Sequence, residues 1–310
     1  MNEAMIHDWP EDYRAGFISI VGRPNAGKST LTNALVGTKI VITANQPETT
    51  RRVVRGIVQR PHGQLILVDT PGLHRPRTLL GERLNDLVRD SLDGVDAALM
   101  CFPADEKIGP GDRYLLRELT KAKLPIFAVV TKIDKISRED LANKLIDISQ
   151  LHEFVEIIPV SAVAGEQVDL LSDVLLSHMP MSAPLYPQDA VTDESDEAMI
   201  AEFIREAALA DVREELPHSI AVVVEEMIER EAKPGAKKPP LLDVHAHIFV
   251  ERPSQKGIII GRGGQRLRTV GQEARANIER LLGRRIYLDL HVKVAKDWQR
   301  DPKALGRLGF

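Results

Sequence analysis

The segment 22–29, Gly-Arg-Pro-Asn-Ala-Gly-Lys-Ser, combines residue types that together can hold a polyphosphate. It follows the apolar run 17–21 and precedes a helical pattern over 30–36, so the spacing predicts a strand, a G-x-x-x-x-G-K-S turn and a helix. The two glycines let successive backbone N–H groups point inward, and the helix N-terminus adds a positive dipole. Lys28 would reach the terminal phosphates, and Ser29 would offer its hydroxyl to Mg²⁺. We therefore predict a phosphate-binding loop (P-loop) for a nucleoside triphosphate, rather than a glycine-rich turn that matches by accident.

Three motifs later in the chain each follow an apolar run, at the point where a strand would end. Asp69, in Asp-Thr-Pro-Gly, is placed to hold Mg²⁺, and Gly72 can offer its backbone N–H to the γ-phosphate. Asp134, in Thr-Lys-Ile-Asp, can accept two hydrogen bonds from guanine, whereas adenine would leave this carboxylate unpaired. The stem of Lys132 would lie along the purine face, and Ser161 fits the last loop that contacts guanine. Each motif alone is weak, but their order at successive strand ends predicts a guanine nucleotide.

The segment 38–52 is polar, aperiodic and carries one proline, which is typical of a long functional loop. Thr50 fits the threonine that closes over Mg²⁺ and the γ-phosphate, with Thr49 as the rival assignment. Leu73 occupies the place where Ras-type enzymes carry a water-orienting Gln, so we expect slow intrinsic turnover. Asn25 resembles a P-loop Asn that binds potassium in related GTPases, although a simple turn former is an equally good interpretation.

These predictions define one nucleotide site, whose members lie on loops at one edge of a sheet. GTP contacts are predicted for Gly22, Arg23, Asn25, Ala26, Gly27, Lys28, Ser29, Thr30, Asp69, Gly72, Thr131, Lys132, Asp134, Ser161 and Ala162. The predicted Mg²⁺ ligands are Ser29, Thr50 and Asp69. Catalytic roles are predicted for Lys28, Thr50, Asp69, Gly72 and Asn25.

Residues 17–180 resemble a translation-type GTPase domain of the Ras-like class. The fold that this implies is an α/β P-loop GTPase domain with a doubly wound, mostly parallel sheet, in which ligands bind at the carboxyl ends of the strands. One position departs from the pattern, because the family has Asn-Lys-x-Asp and this chain has Thr131 in place of the Asn. That Asn braces neighbouring loops, so we expect its loss to weaken nucleotide affinity.

Length and composition place the chain among ordinary soluble proteins. Its 310 residues suggest about two domains, and 43% hydrophobic and 28% charged residues are typical of globular folds. No apolar run approaches the roughly 20 residues that span a bilayer, and residues 1–15 lack a signal-peptide pattern. The lone cysteine, Cys101, lies in a predicted buried strand over 97–102 and is expected to be an inert thiol in a reducing compartment.

The formal net charge of −4 hides an uneven distribution. Residues 251–310 contain 14 Lys and Arg against 6 Asp and Glu, whereas residues 181–250 contain 6 against 15. The basic C-terminal segment is compatible with a nucleic-acid partner, although charge alone would favour a solvated face.

The C-terminal part has its own order of predicted elements. A polar, proline-containing segment over 181–196 precedes a helical pattern over 197–212, which is followed by β-rich runs over 219–228 and 242–250. A last strand is predicted over 285–294, after two further helical stretches. Helix, two strands, two helices and a strand is the element order of the prokaryotic, type II KH domain, an α+β fold.

The turn 261–264, Gly-Arg-Gly-Gly, follows an apolar run and opens a helix, which is the arrangement of the KH-domain loop. Its glycines let a phosphodiester backbone approach closely, the helix N-terminus favours phosphates, and the adjoining apolar groove would hold unstacked bases. A lone G-x-x-G is weak because glycines end many helices, but the basic surroundings and the element order favour RNA. RNA contacts are predicted for Lys256, Gly257, Ile260, Gly261, Arg262, Gly263, Gly264, Arg266, Leu267 and Arg268.

A P-loop GTPase domain followed by a KH domain resembles the Era family of bacterial ribosome-assembly GTPases, over nearly the whole chain. The resemblance extends to segments 186–187, 192–193, 213–219, 254–264 and 292–298. It implies binding of the 3′ end of 16S rRNA, help in maturation of the 30S ribosomal subunit, GTP as substrate and Mg²⁺ as cofactor, with K⁺ as a further candidate. It also implies a cytoplasmic protein with part of its population peripherally on the inner face of the cell membrane, and we expect a monomer.

The predicted organisation is an N-terminal tail (1–16), an Era-type G domain (17–180), a linker (181–196), a type II KH RNA-binding domain (197–296) and a C-terminal tail (297–310). We expect GTP to order the loop around Thr50 and hydrolysis to reset it, so that the chain acts as a GTP-hydrolysing switch. One alternative is a constitutive RNA-binding protein that holds guanine nucleotide as a structural ligand. Another is a GTPase whose partner is a protein or a membrane.

Overall fold

The structure, a computed structural model, divides the chain into two compact units, which we describe separately. The first is built mainly from residues up to Asp193, and the second mainly from Glu194 onward. The residues that the structure describes are 9–43, 49–72, 78–210, 212, 216–231 and 240–309.

The first unit contains a six-stranded sheet. Its strands are β1 (Arg14–Val21), β2 (Val54–Arg60), β3 (Gly63–Asp69), β4 (Ala97–Pro103), β5 (Ile126–Thr131) and β6 (Ile157–Pro159). They lie in the order β2-β3-β1-β4-β5-β6, and all neighbours are parallel except the antiparallel pair β2 and β3. The chain moves from one side of β1 to the other between β3 and β4, so the carboxyl ends of the parallel strands form the ligand-binding edge of a doubly wound sheet.

Helices cover both faces of this sheet. They are α1 (Lys28–Val36) and α5 (Val168–Ser177) on one face and α3 (Pro110–Ala122) and α4 (Arg138–Ser149) on the other, while α2 (Leu79–Asp90) has residues in both units. Strand β4 is apolar throughout because it is buried on both sides: Leu99 and Cys101 pack in a core with α1 and α5, and Met100 and Phe102 pack in a core with α3 and α4. The predicted P-loop GTPase fold is therefore confirmed.

Most of the predicted linker 181–196 belongs to the first unit. The backbone N–H of Ile57 donates to the carbonyl oxygen of Val191 at 2.9 Å. The side chain of Gln64 donates to the carbonyl oxygen of Tyr186 at 2.7 Å. Because these bonds fix the backbone along the sheet, the segment is not the free connection that its prolines and lack of period suggest.

The second unit contains a three-stranded sheet with helices. Its strands are β7 (Ala221–Glu229), β8 (Leu242–Val250) and β9 (Ile286–Val294), and its helices are α6 (Asp196–Leu209), α7 (Leu216–Ser219), α8 (Pro253–Ile260), α9 (Gln265–Leu282) and α10 (Pro302–Arg307). The sheet order is β7-β8-β9, with β7 and β8 antiparallel and β8 and β9 parallel. Apart from the short α7, the order from α6 to β9 is the predicted type II KH order, which confirms that fold.

The core of the second unit follows from the alternation along β8. Val244, Ala246 and Ile248 are buried, while the residues between them are half-buried. Helices α6 and α9 pack on each other and contribute further buried apolar residues. Among the described residues, the structure contains no helix with the length and apolar character of a membrane span.

Both predicted tails are shorter than the sequence suggests. Strand β1 already begins at Arg14, inside the predicted N-terminal tail 1–16. Within the predicted C-terminal tail 297–310, Trp298 is fully buried, and its Nε1 donates to the carbonyl oxygen of Ser219 at 3.0 Å. This buried aromatic side chain thus anchors the start of that segment to the second unit.

Candidate functional site

The P-loop has a backbone conformation that glycine and asparagine allow. Gly27 (φ 87°) and Asn25 (φ 62°) are both left-handed, and such turns direct successive N–H groups toward one centre. A Cβ on Gly22 would lie 3.1 Å from the carbonyl oxygen of Cys101, so the loop runs close against β4. Helix α1 begins at Lys28, and its N-terminus therefore faces the loop. The predicted strand, turn and helix are all present.

Lys28 is folded into the mouth of this loop. Only 6% of the residue is exposed, and its Nζ donates to the carbonyl oxygens of Gly22 at 3.0 Å and Arg23 at 3.1 Å. Burial lowers the pKa of the ammonium, and the charge of Asp69 opposes that shift. A cation held this way can exchange carbonyl partners for phosphate oxygens, which are stronger acceptors.

Three side chains that carry oxygen meet beside Lys28. Ser29 Oγ lies 2.9 Å from Thr50 Oγ1 and donates to Asp69 Oδ2 at 3.0 Å. Asp69 is fully buried, and its Oδ1 has no hydrogen-bond partner among the residues that the structure describes. Burial raises the pKa of this carboxyl to about 6, against the opposing charge of Lys28. A buried oxygen without a donor, beside two hydroxyls, fits a hard cation such as Mg²⁺.

The end of β3 is held close to the P-loop. Thr70 Oγ1 donates to the carbonyl oxygen of Ile20 in β1 at 2.8 Å. A Cβ on Gly72 would lie 2.9 Å from the backbone nitrogen of Pro24, so only glycine allows this close approach. Leu73, and with it the prediction of slow turnover, lies outside the described residues.

The loops after β5 and β6 meet at the place predicted for the base. Asp134 is exposed, and its Oδ1 accepts a hydrogen bond from Ser161 Oγ at 2.5 Å. Ser161 is itself buried, and its Oγ accepts from the backbone N–H of Ala164 at 3.2 Å. Lys132 has a left-handed backbone conformation (φ 59°) and is half-buried. Ala162, which follows Ser161, is also half-buried. A fixed carboxylate at this edge suits recognition of guanine nitrogens.

Thr131 braces the P-loop, although the sequence predicts that replacing Asn by Thr removes this brace. Its Oγ1 donates to the carbonyl oxygen of Ala26 in the P-loop at 2.7 Å and lies 3.4 Å from the carbonyl oxygen of Phe102. A Cβ on Gly27 would lie 3.4 Å from the same hydroxyl. The expectation of a lost brace is therefore wrong, because the shorter hydroxyl reaches the P-loop. The effect of Thr131 on nucleotide affinity stays a prediction.

Thr30 and Arg23, the two remaining predicted GTP contacts, differ in where their side chains lie. Thr30 is half-buried in the first turn of α1. The guanidinium of Arg23 turns to Asp112, with Nε donating to Oδ1 at 2.8 Å, so only its backbone lies with Lys28. Asp112 lies 89 residues further along the chain and was not predicted from the sequence as part of the site. Its one local signal is its position three residues after Gly109, the N-cap of α3.

The turn between α8 and α9 has the conformation that its glycines predict. Gly261 (φ 71°), Gly263 (φ 60°) and Gly264 (φ 75°) all have positive φ. A Cβ on Gly261 would lie 2.7 Å from Arg266 Cβ, whereas Gly263 and Gly264 face open space. Arg262, between Gly261 and Gly263, is exposed. An exposed backbone turn at a helix N-terminus can receive a phosphodiester.

Arg266 differs from the other predicted RNA contacts. Its Nη2 donates to the carbonyl oxygen of Ala210, just after α6, so its guanidinium is engaged within the unit. It also lines an open cleft of about 320 Å³ together with Arg262 and Glu273. The remaining predicted RNA residues divide by exposure: Gly257 and Arg268 are exposed, and Lys256, Ile260 and Leu267 are half-buried.

Together these features define a P-loop GTPase domain followed by a type II KH domain. A family model described as 50S ribosome-binding GTPase matches residues 17–132, and a KH-domain model matches residues 215–299. The chain is 61% identical over 304 residues to GTPase Era of Streptomyces coelicolor, covering 96% of this chain and 95% of that protein. GTPase Era of a Nocardioides species is 60% identical over 304 residues, covering 96% of each chain. The chain therefore belongs to the Era family, and it is a GTPase.

Two solved structures resemble the chain along most of its length. One is a tyrosine-to-alanine variant of Aquifex aeolicus Era bound to GDP·AlF4⁻, with 38% identity and a TM-score of 0.90 over 96% of this chain and 99% of that one. The other is Era in complex with MgGDPNP and nucleotides 1506–1542 of 16S ribosomal RNA, with 39% identity, a TM-score of 0.90 and the same coverage.

Proposed function

We propose that this chain binds GTP with Mg²⁺ at the P-loop site, hydrolyses it, and binds the 3′ end of 16S rRNA through its KH domain to assist maturation of the 30S subunit. The solved Era complex with MgGDPNP and a 16S rRNA fragment supports this, because it shares 39% identity and a TM-score of 0.90 with this chain. GTP hydrolysis rests on membership of the Era family. The RNA and its site are the proposed part.

At the nucleotide site, we assign the metal to Ser29, Thr50 and Asp69. When bound, Mg²⁺ supplies positive charge to the β- and γ-phosphates. Lys28 would add a second cation from the loop, and the N–H of Gly72 would donate to the γ-phosphate. Ser29 Oγ and Asp69 Oδ2 are already 3.0 Å apart, so little rearrangement is needed to place both near one ion.

The observation that carries RNA binding is the exposed left-handed turn at Gly263. Apart from the glycines themselves and their neighbours in the chain, no heavy atom of the described residues lies within 4 Å of the Cβ position on Gly263 or on Gly264, so a phosphate can approach the backbone there. The exposed guanidiniums of Arg262 and Arg268 lie beside the turn in the sequence and add positive charge. The N-terminus of α9, an 18-residue helix, follows at once.

The test compares two glycines in the same backbone conformation. Gly283, at the end of α9, also has positive φ (62°) and open space around its Cβ position. We expect Gly263→Asp to weaken binding of an oligonucleotide from the 16S rRNA 3′ end by roughly tenfold or more, since it places an anion where the phosphate would lie. Gly283→Asp imposes a similar backbone penalty away from the turn and should bind as the parent does.

Fluorescence anisotropy with this oligonucleotide and a scrambled control measures both variants. Equal affinity of Gly263→Asp and the parent would refute the RNA assignment, whatever happens to GTP turnover. If RNA binding and GTP binding are coupled, linkage also requires that the oligonucleotide change the affinity for the GTP analogue. A steep fall of RNA affinity with salt and a preference for the 16S sequence would argue against a protein or membrane partner for this loop.

We also propose that K⁺ assists hydrolysis through Asn25. The residue lies in the P-loop in the left-handed conformation (φ 62°), where its side chain can contribute an oxygen to a cation site. Phosphate release should then be faster in potassium buffer than in sodium buffer at equal ionic strength. Asn25→Gly, which keeps the turn and removes the amide, should abolish that difference, and identical rates in the parent would contradict the proposal.

For partners and location, we propose a monomer in the cytoplasm that associates with the 30S subunit, with part of the population peripherally on the cell membrane. These proposals rest on the family resemblance alone. Sedimentation of a cell extract through a sucrose gradient, followed by separation of the membrane fraction, tests them together. Absence from the 30S fractions would contradict the main one.

A further inference from the structure

A network of ion pairs joins the start of the P-loop to the loop that would hold the base. Arg23 is its centre, because its guanidinium contacts three groups outside the P-loop. Nε donates to Asp112 Oδ1 at 2.8 Å, Nη2 lies 3.1 Å from Glu106 Oε2, and Nη2 donates to the carbonyl oxygen of Lys107 at 3.4 Å. These three residues come from the β4–α3 loop and the first turn of α3.

Asp112 is placed to accept the guanidinium of Arg23. It is 1% exposed, and its Oδ2 accepts a hydrogen bond from the backbone N–H of Gly109 at 2.8 Å. The other carboxylate oxygen, Oδ1, takes the Nε of Arg23. A Cβ on Gly111 would lie 2.9 Å from Arg23 Cδ, so the glycine leaves room for the arginine stem. A buried carboxylate needs such a partner because an unpaired charge there is strongly disfavoured.

The same network reaches the base loop through Glu106 and Asp105. Lys132 Nζ lies 3.6 Å from Asp105 Oδ1 and 3.7 Å from Glu106 Oε1. Burial alone would raise the pKa of Asp105, but the hydrogen bond from Lys135 and the charge of Lys132 together lower it. On the opposite side, Lys144 Nζ donates to the carbonyl oxygen of Glu106. The acidic pair 105–106 is thus shared between Arg23 of the P-loop and Lys132 of the base loop.

We propose that Arg23 and Asp112 are positioning residues for guanine-nucleotide binding. Their ion pair fixes the backbone of Arg23 at the start of the P-loop, and the carbonyl oxygen of Arg23 in turn accepts from Lys28. The guanidinium of Arg23 also holds Glu106, which positions Lys132. Two loops that must close on the ends of one ligand are therefore aligned before the ligand arrives, which improves affinity. This inference rests on GTP binding at the P-loop site.

The base loop and the entry of the P-loop would meet parts of the nucleotide that GDP and GTP share, so we expect loss of the Arg23–Asp112 pair to remove mainly uniform binding. Removal should raise KM and leave kcat nearly unchanged. We expect Arg23→Ala to raise the Kd for both GDP and GTP roughly tenfold and to change kcat at saturating GTP by less than about threefold. Arg23→Lys keeps the charge without the guanidinium fork and should recover part of the affinity.

A double-mutant cycle measures whether the pair acts as a unit. Asp112→Asn keeps an oxygen for the Gly109 N–H and removes the charge that Arg23 meets. Each single variant should weaken binding of fluorescent GDP. The double variant Arg23→Ala/Asp112→Asn should have a Kd no higher than that of the single variant with the lower affinity. Additive losses would overturn the proposal. If Asp112→Asn does not fold, the Kd values of Arg23→Ala and Arg23→Lys test the proposal without the cycle.

Two controls separate this proposal from the nucleotide site as a whole. Lys121→Ala removes an exposed ion pair with Glu118 (2.7 Å) on the same helix and should bind GDP as the parent does. Lys28→Ala should lose nucleotide binding. If Lys28→Ala binds as the parent does, the site itself is misassigned. If Lys28→Ala loses binding while Arg23→Ala retains parental Kd and only melts at lower temperature, the pair is merely structural and the positioning role is overturned.

Discussion

At the nucleotide site, the groups that would meet phosphate and metal are buried, with Lys28 6% exposed and Asp69 0% exposed, whereas Arg262 and Gly263 in the KH turn lie in solvent. Both regions would bind phosphates next to a helix N-terminus. The buried site must hold its charges in place, because desolvated polar groups are unfavourable unless they are braced. The exposed turn needs little bracing, since water solvates it when RNA is absent. Substitutions at the first should therefore change stability and binding together, whereas substitution of an exposed side chain at the second, such as Arg262, should change binding with little effect on stability.

The largest expected effect comes from Asp69. Asp69→Asn removes the charge that would hold Mg²⁺, and we expect GTP turnover to fall roughly a hundredfold or more. Release of inorganic phosphate at saturating GTP and Mg²⁺ measures it. Asp86→Asn is the matched control, because Asp86 is an exposed carboxylate paired with Arg89 at 3.0 Å, and it should keep parental turnover. Near-normal turnover in Asp69→Asn would mean that this carboxylate is not a metal ligand.

The same substitution should stabilise the metal-free protein, which tests the cost of burial directly. Burial raises the pKa of Asp69 from 3.8 to about 6, so between these values the folded state binds more protons than the unfolded state. The contribution of this carboxyl to the free energy of unfolding therefore falls as the pH rises through that window. At about pH 7, metal-free Asp69→Asn should exceed the parent in free energy of unfolding by on the order of 1–3 kcal/mol. Urea unfolding should show the difference disappearing at about pH 4.

Arginines of the KH turn sharpen the comparison from the other side. Arg266→Ala removes the hydrogen bond to the carbonyl oxygen of the exposed Ala210 and should lower the free energy of unfolding by about 1 kcal/mol. The exposed Arg262→Ala should change stability by less than about 0.5 kcal/mol and reduce the salt dependence of RNA binding by about one ion. Urea unfolding and anisotropy titrations at several salt concentrations measure both. If Arg262→Ala lowered the free energy of unfolding more than Arg266→Ala, Arg266 would not be the arginine that stabilises the unit.

What the sequence could predict depended on whether a residue acts through its neighbours in the chain. The P-loop and the turn 261–264 were predictable because glycine spacing and the helix that follows are local signals. The pair Arg23–Asp112 was not, because its members are 89 residues apart and a charged residue in a helix first turn usually faces solvent. Residues 181–193 were misjudged for a related reason, since backbone bonds of an irregular segment leave no periodic trace.

The brace at Thr131 yields the smallest expected effect and the most direct test of bracing. Thr131→Val keeps the shape of the side chain and removes the hydroxyl that donates to the Ala26 carbonyl at 2.7 Å. A buried carbonyl that loses its donor costs about 1 kcal/mol, so we expect the Kd for GDP to rise roughly fivefold. Thr131→Ser retains the hydroxyl and should stay close to the parent. Thr120→Val, which removes a similar bond to the Leu116 carbonyl (2.8 Å) on α3, controls for a general loss of stability. If Thr131→Val bound GDP as tightly as Thr120→Val, a buried nucleotide site would not need its brace, and the contrast with the exposed KH turn would rest on the metal site alone.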